Sequence, residues 1–290
     1  SSSIIHYKKA RLFIKRIDLL NSVVSGNKIY KLKYNLLEAR KKKYKTLLTF
    51  GGAYSNHIIA TACAAKESGF RSIGVIRGEE QLPLNNTLRS SVDFGMKLCY
   101  INRSDYRLKN STSFLENLRK KFGNFYFIPE GGANSFGVYG ASEIIGEKDR
   151  YDYIFCPVGT GATLSGIINS ANFNQNIIGV PVLNDSVNLL KKIKGWVQKE
   201  KENWMLINEY MFGGYAKITN DLVNFIYKFY ENHQIPLDAV YTAKMMFAII
   251  DLIESGYFKE GSTILAIHTG GLQGNKGINN KYKLYLPCNS

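Results

Sequence analysis

Apolar residues fall in short runs along this chain, and longer stretches with helical spacing lie between them. TLLTF at 46–50, SIGVI at 72–76, LCYI at 98–101 and FYFI at 125–128 are such runs, as are YIFCPV at 153–158, IIGVPV at 177–182 and TILAIH at 263–268. Their length and turn-rich flanks predict strands buried on both faces. After the first run, Ile58, Ile59, Ala62 and Cys63 share one helix face that stops at Gly69, and further helices are predicted near 87–94 and 112–122. Strands alternating with helices predict an α/β fold built on parallel sheets. The glycine-rich EGGANSFGVYG at 130–140 reads either as a crossing between two sheets or as a binding loop, and the two are compatible.

Composition narrows the class. With 290 residues, 45% apolar and 21% charged, the chain has room for one large or two modest domains. No stretch has the apolar length of a membrane span, and SSSIIHYKKARLF lacks the apolar centre of a signal peptide. A soluble, cytoplasmic protein is the expectation. The net charge of +15 raises the question of nucleic acid, but the lysines are dispersed apart from 40–43 and 191–194. Both runs fall at apparent helix ends, where cations complement the dipole, so a solvated face is the better reading and no nucleic-acid partner is expected. Cys63, Cys99, Cys156 and Cys288 form no CxxC pair, and three lie in apolar segments as expected of buried thiols. No metal site is expected.

Ligands of open parallel sheets sit beyond the carboxyl ends of strands, so the loops there are the candidates for chemistry. FGGAYSNH follows the first strand and brings Ser55, Asn56 and His57 to a helix start, either as a seat for a carboxylate or as a simple cap. VGTGATLSG follows YIFCPV, and Gly159, Thr160, Gly161, Ala162 and Thr163 suit a phosphate at a helix N-terminus. That loop has neither the lysine of a Walker motif nor GxGxxG spacing. His268, closing a strand before TGGLQG, reads as a hydrogen-bonded core residue more readily than as a base. FGGYAK and LDAVYTAK set Tyr215 and Tyr241 beside small residues, although 19 tyrosines make any choice by composition arbitrary.

GNKIYKLKYNLLEARKKK poses a separate problem: it places Lys28 at the mouth of a predicted helix, the end at which a cation is disfavoured. Either Lys28 is a solvated surface charge or its amine is wanted there.

Taken together and in order, GNKIYKLKYNL, FGGAYSNH, CPVGTGATLSG, FGGYAK, PLDAVYTAKMMF and AIHTGGLQG resemble the pyridoxal-phosphate enzymes of the 1-aminocyclopropane-1-carboxylate deaminase and D-cysteine desulfhydrase family. The resemblance runs from about residue 12 to 277. It implies the tryptophan synthase β-like fold (fold type II): two parallel-sheet domains with helices on both faces. A large cofactor domain (1–34 and 138–290) would hold a smaller mobile one (35–137). It also implies a homodimer, pyridoxal 5'-phosphate as cofactor and a small amino acid as substrate. Lys28 matches the lysine that holds the cofactor aldehyde, and Lys31 a lysine that contacts its phosphate. Gly159 to Thr163 would cradle that phosphate, Asn56 would lie near the pyridine hydroxyl, Ser55 to His57 near the substrate carboxylate, and Tyr215 and Tyr241 would flank the substrate. A neutral amine is needed for attack and for proton abstraction, and a cationic setting lowers its pKa, so a helix mouth poor for stability is sensible for catalysis.

The residue after the second tyrosine faces the ring nitrogen in the family. Deaminases carry glutamate there; this chain has Thr242, as desulfhydrases do. A hydroxyl makes the ring a weaker electron sink, adequate when a thiolate leaves from Cβ. The expected reaction is therefore β-elimination on D-cysteine. Cyclopropane-carboxylate deamination is the alternative, and a non-catalytic basic binding module is the remote one. FIKRIDLL departs from the family, with Ile17 where relatives show an acidic residue.

Overall fold

The structure, a computed structural model, describes residues 2–7, 10–21, 24–198 and 200–288. β1 (Ser2–His6) and β2 (Ala10–Lys15) open the chain as an antiparallel hairpin, followed by α1 (Asn27–Lys41). Next come β3 (Thr46–Gly52), α2 (Asn56–Glu67), β4 (Arg71–Arg77), α3 (Asn86–Asp93) and β5 (Met96–Ile101). The short α4 (Arg103–Tyr106), α5 (Thr112–Phe122), β6 (Tyr126–Ile128) and α6 (Ser135–Ala141) follow. The remainder runs β7 (Tyr153–Val158), α7 (Ala162–Ser170), β8 (Asn176–Pro181), α8 (Ser186–Trp196), β9 (Trp204–Leu206), α9 (Asn220–His233), α10 (Thr242–Glu254), β10 (Ser262–Ile267) and α11 (Gly274–Tyr282). All seven strands expected from apolar runs are present, within two residues of the predicted ends.

The chain divides into two compact units, Ser1–Asn27 with Ala141–Ser290, and Lys28–Gly140. In the first, six strands lie in the order β1-β2-β10-β7-β8-β9, parallel except at the β1–β2 hairpin. Leu12, Ile14, Phe155, Ile178 and Ile264 from the sheet pack with Leu222 and Ile226 of α9 and Met245 and Ile249 of α10. Each such side chain removed from water contributes roughly 1.5–3 kcal/mol before entropy is subtracted.

The second unit is a fully parallel sheet, β5-β4-β3-β6. Alternation along its strands sends Leu48, Phe50, Ile73 and Val75 to one face with Leu118 of α5. Ile76 and Met96 go to the other, against Ile58 and Ala62 of α2 and Leu88 of α3. This double cover is why the strands read as unbroken apolar runs. Cys63, Cys99 and Cys156 are buried and Cys288 is partly buried, and none of the four is in a disulfide. Among the described residues no helix is long and apolar enough to cross a membrane, and no group of three His, Cys, Asp or Glu could hold a metal ion.

Candidate functional site

In the first unit, backbone packing fixes Gly26 and Asn27, the two residues before Lys28. Gly26 has φ +68°, and a Cβ there would stand 1.8 Å from the carbonyl oxygen of Thr269. No other residue fits. Asn27 N–H donates to that same carbonyl at 3.3 Å, and its side-chain amide donates to Thr163 Oγ1 at 2.8 Å. Gly26 and Asn27 are thus tied to two loops at strand ends, those after β10 and β7.

The loop after β7 turns at Gly161, whose φ of +91° sets the left-handed N-cap of α7. No side chain caps this helix. Helix geometry leaves the N–H groups of Ala162, Thr163 and Leu164 without intrahelical acceptors, a ready seat for an anion. The Tyr241 ring lies over the same loop, its Cε1 3.0 Å from where a Cβ of Gly159 would stand. Tyr215 is 46% exposed, and its ring centroid is 6.2 Å from that of Tyr241 at 72°.

Tyr241 begins α10, and its N–H donates to Asp238 Oδ1 at 2.6 Å. Thr242 is fully buried; its Oγ1 accepts Asp238 N–H at 2.7 Å, while its own proton has only a long contact, 3.4 Å, with Asp238 O. Burial pushes the Asp238 carboxyl up to about 7, against the pull of the Tyr241 N–H and of His268. His268 itself is core, as its position at a buried strand end suggested. Its Nε2 bonds Pro236 O at 2.8 Å and its Nδ1 faces Asp18 Oδ1 at 3.1 Å. Arg16 grips the other side of Asp18 at 2.7 Å. Burial alone would raise Asp18, but the His268 ring and the Arg16 guanidinium outweigh it and hold the carboxyl down at about 2. Ile17, the departure from the family pattern, is 2% exposed and faces the interior.

In the second unit, Lys28 lies in the first turn of α1, which contains no acidic residue, and Lys31 follows just beyond it. Lys31 is 2% exposed and its side chain packs on Gly132. Both amines bear on His57. Burial first, then the charges of Lys28 and Lys31, push the imidazole well below its usual range. Thr49 Oγ1 donates to Ile128 O at 2.8 Å and lies 2.8 Å from His57 Nε2. His57 Nδ1 and Asn56 Oδ1 are both buried with no hydrogen-bond partner among the described residues. Ser55 is the N-cap of α2, yet its hydroxyl makes no cap bond. The simple-cap reading of this loop therefore fails for Ser55, and its Oγ stays available beside the first N–H groups of the helix.

The structure thus groups the expected residues in two sets. Gly159 to Thr163, Tyr215, Tyr241 and Thr242 come together in one unit, as do Lys28, Lys31 and His57 in the other. Asp238 and Lys244 were not singled out from the sequence. Their signal was two ionisable residues six apart within the apolar LDAVYTAKMMFAII.

The chemistry of each unit fits pyridoxal phosphate: the first has an uncapped, glycine-turned helix start suited to a phosphate, and the second carries Lys28 near the start of α1 and a buried Asn56 Oδ1 with no partner among the described residues. The comparisons agree. A family model described as pyridoxal-phosphate dependent enzyme matches residues 3–270. A Pyrococcus horikoshii protein, provisionally named a 1-aminocyclopropane-1-carboxylate deaminase, is 32% identical over 91% of this chain and 86% of its own. A mitochondrial protein of Arabidopsis thaliana named bifunctional D-cysteine desulfhydrase/1-aminocyclopropane-1-carboxylate deaminase is 28% identical over 91% of this chain and 73% of its own. The crystal structure of an ACC deaminase homologue superposes with TM-score 0.78 at 31% identity, covering 94% of this chain and 88% of that one. The chain belongs to the pyridoxal-phosphate dependent enzymes of tryptophan synthase β-like fold, in the family of the 1-aminocyclopropane-1-carboxylate deaminases and D-cysteine desulfhydrases.

Proposed function

We propose that the protein catalyses β-elimination on a small D-amino acid, with D-cysteine the foremost substrate: D-cysteine and water give pyruvate, hydrogen sulfide and ammonia. The bound pyridoxal phosphate supplies an electron sink for the pair left at Cα when its proton departs. Lys28 would hold the cofactor and, as a neutral amine, would take the Cα proton. The helix N-terminus and the Lys31 ammonium favour that neutral form. Ser55 Oγ and the N–H groups of Asn56 and His57 receive the substrate carboxylate. His57 contributes through its backbone, since its uncharged, buried ring offers the carboxylate no cation. Tyr215 and Tyr241 flank the substrate.

The observation that carries the choice of reaction is the state of Thr242. Its oxygen already accepts Asp238 N–H, so it has one proton to offer a ring nitrogen and no negative charge with which to keep that nitrogen protonated. Such a sink suits departure of a good leaving group from Cβ better than opening of a cyclopropane. The deaminase reading is kept as second because the Pyrococcus horikoshii relative carries that name. The test is to give the purified, cofactor-loaded protein a panel of D- and L-amino acids with 1-aminocyclopropane-1-carboxylate among them. Pyruvate with sulfide from D-cysteine supports elimination; 2-oxobutanoate from the cyclopropane substrate alone overturns it.

A further inference from the structure

Lys244, in the first turn of α10, is 0% exposed. Its Nζ donates to the carbonyls of Met211 at 2.8 Å and Gly214 at 2.7 Å. Burying an ammonium forfeits its hydration, and a residue needed only to fill space there would be a methionine or leucine. The two bonds therefore account for the amine. Both carbonyls belong to the turn that leads into Tyr215. They already accept the N–H groups of Gly214 and Lys217, so the amine is a second donor to each.

That turn is costly backbone. Phe212 at φ 49° and Ala216 at φ 53° lie in the left-handed region, on either side of Gly213 at 82° and Gly214 at 110°. Non-glycine residues persist there only when their surroundings over-determine them. The surroundings here come from α10. Besides the Lys244 bonds, Phe212 packs edge-on to Phe247 at 5.0 Å, and Tyr210 OH donates to Asp251 Oδ2 at 2.6 Å. Tyr241 stands three residues before Lys244, with its ring 6.2 Å from Tyr215. The charge facing Lys244 is Asp238, whose carboxyl accepts the Tyr241 N–H.

We infer that Lys244 is a positioning residue: by clamping the turn at 211–214 to the first turn of α10, it fixes Tyr215 against Tyr241 and so sets the width of the substrate slot. This inference rests on the reading of the two tyrosines as the flanks of the substrate. Lys244 touches neither substrate nor cofactor, and acts through the loop.

The test uses the full chain loaded with pyridoxal phosphate, as Lys244→Met and Lys244→Gln. Lys244→Met is expected to keep the cofactor absorbance and lose roughly ten- to a hundredfold in kcat/KM, mainly through KM. Amide exchange across 211–217 is expected to quicken about tenfold or more while that of α9 and β10 is unchanged. Lys244→Gln retains a donor for one carbonyl and should recover part of both effects. Kinetic constants within about twofold of wild type, or unchanged exchange across 211–217, would overturn the proposal. So would failure of both variants to fold, which would assign Lys244 to the core alone. A wild-type enzyme inactive on D-cysteine would refute the substrate reading only. Exchange at the turn, with spectral titration of the bound cofactor by other amino acids, would still decide whether the clamp sets the slot.

Discussion

The Asn27 side-chain amide donates to Thr163 Oγ1 at 2.8 Å, so the residue preceding Lys28 is bonded to the loop assigned to the cofactor phosphate. If that loop seats the phosphate as proposed, this bond steadies it from Asn27. Asn27→Ala should raise the dissociation constant for pyridoxal phosphate roughly tenfold, the effect of losing one buried bond of about 1–1.5 kcal/mol. A titration followed by absorbance measures it, and an unchanged constant would refute that role.

Lys28→Ala should abolish turnover, by about a thousandfold or more, while leaving the fold intact. Borohydride reduction should add cofactor mass to the wild type and none to the variant. Pyruvate released by Lys28→Ala at the wild-type rate would refute its role.

Thr242→Glu replaces the hydroxyl with the carboxylate found in the deaminases. The ratio of 2-oxobutanoate formed from the cyclopropane substrate to pyruvate formed from D-cysteine should rise by about tenfold, a change of about 1.4 kcal/mol between two barriers. An unmoved ratio would count against the ring-nitrogen argument.

Asp18 links acidity to stability. Its folded pKa of about 2 lies below the unfolded 3.8, so its pairing with His268 and Arg16 stabilises the fold above about pH 4. That contribution is lost as pH falls through the folded value. Asp18→Asn should therefore cost roughly 2–4 kcal/mol near neutrality, with the gap to wild type closing toward pH 2. Urea midpoints across that range decide it; a gap independent of pH would show that the carboxylate charge is not what is lost.

How much of this was legible in the chain depended on the range of the interaction. β3 and β7 were readable because every residue in the runs TLLTF and IFCPV is buried, and a doubly covered strand leaves its mark in consecutive letters. β9 has three residues and sits at a sheet edge, too short to show a period, and β1 lies at the other edge. Whether Ser55 caps its helix depends on a rotamer, which composition does not encode. The GNK motif was visible, but its reason was not: Gly26 is required by a carbonyl more than two hundred residues away. Asp238 and Lys244 stand out in the sequence only as two charges within an apolar stretch, and only packing shows that both are interior.

The contact between Gly26 and Thr269 also orders events during synthesis. β2 pairs with β10, and the seat under Asn27 is made by the backbone that follows β10. A ribosome must therefore deliver the chain through Thr269 before Asn27 acquires its seat. Nascent fragments that reach past Thr163 but end short of Thr269 would carry Asn27 and the Gly159 loop and still lack the carbonyl that seats the residue before the proposed cofactor lysine.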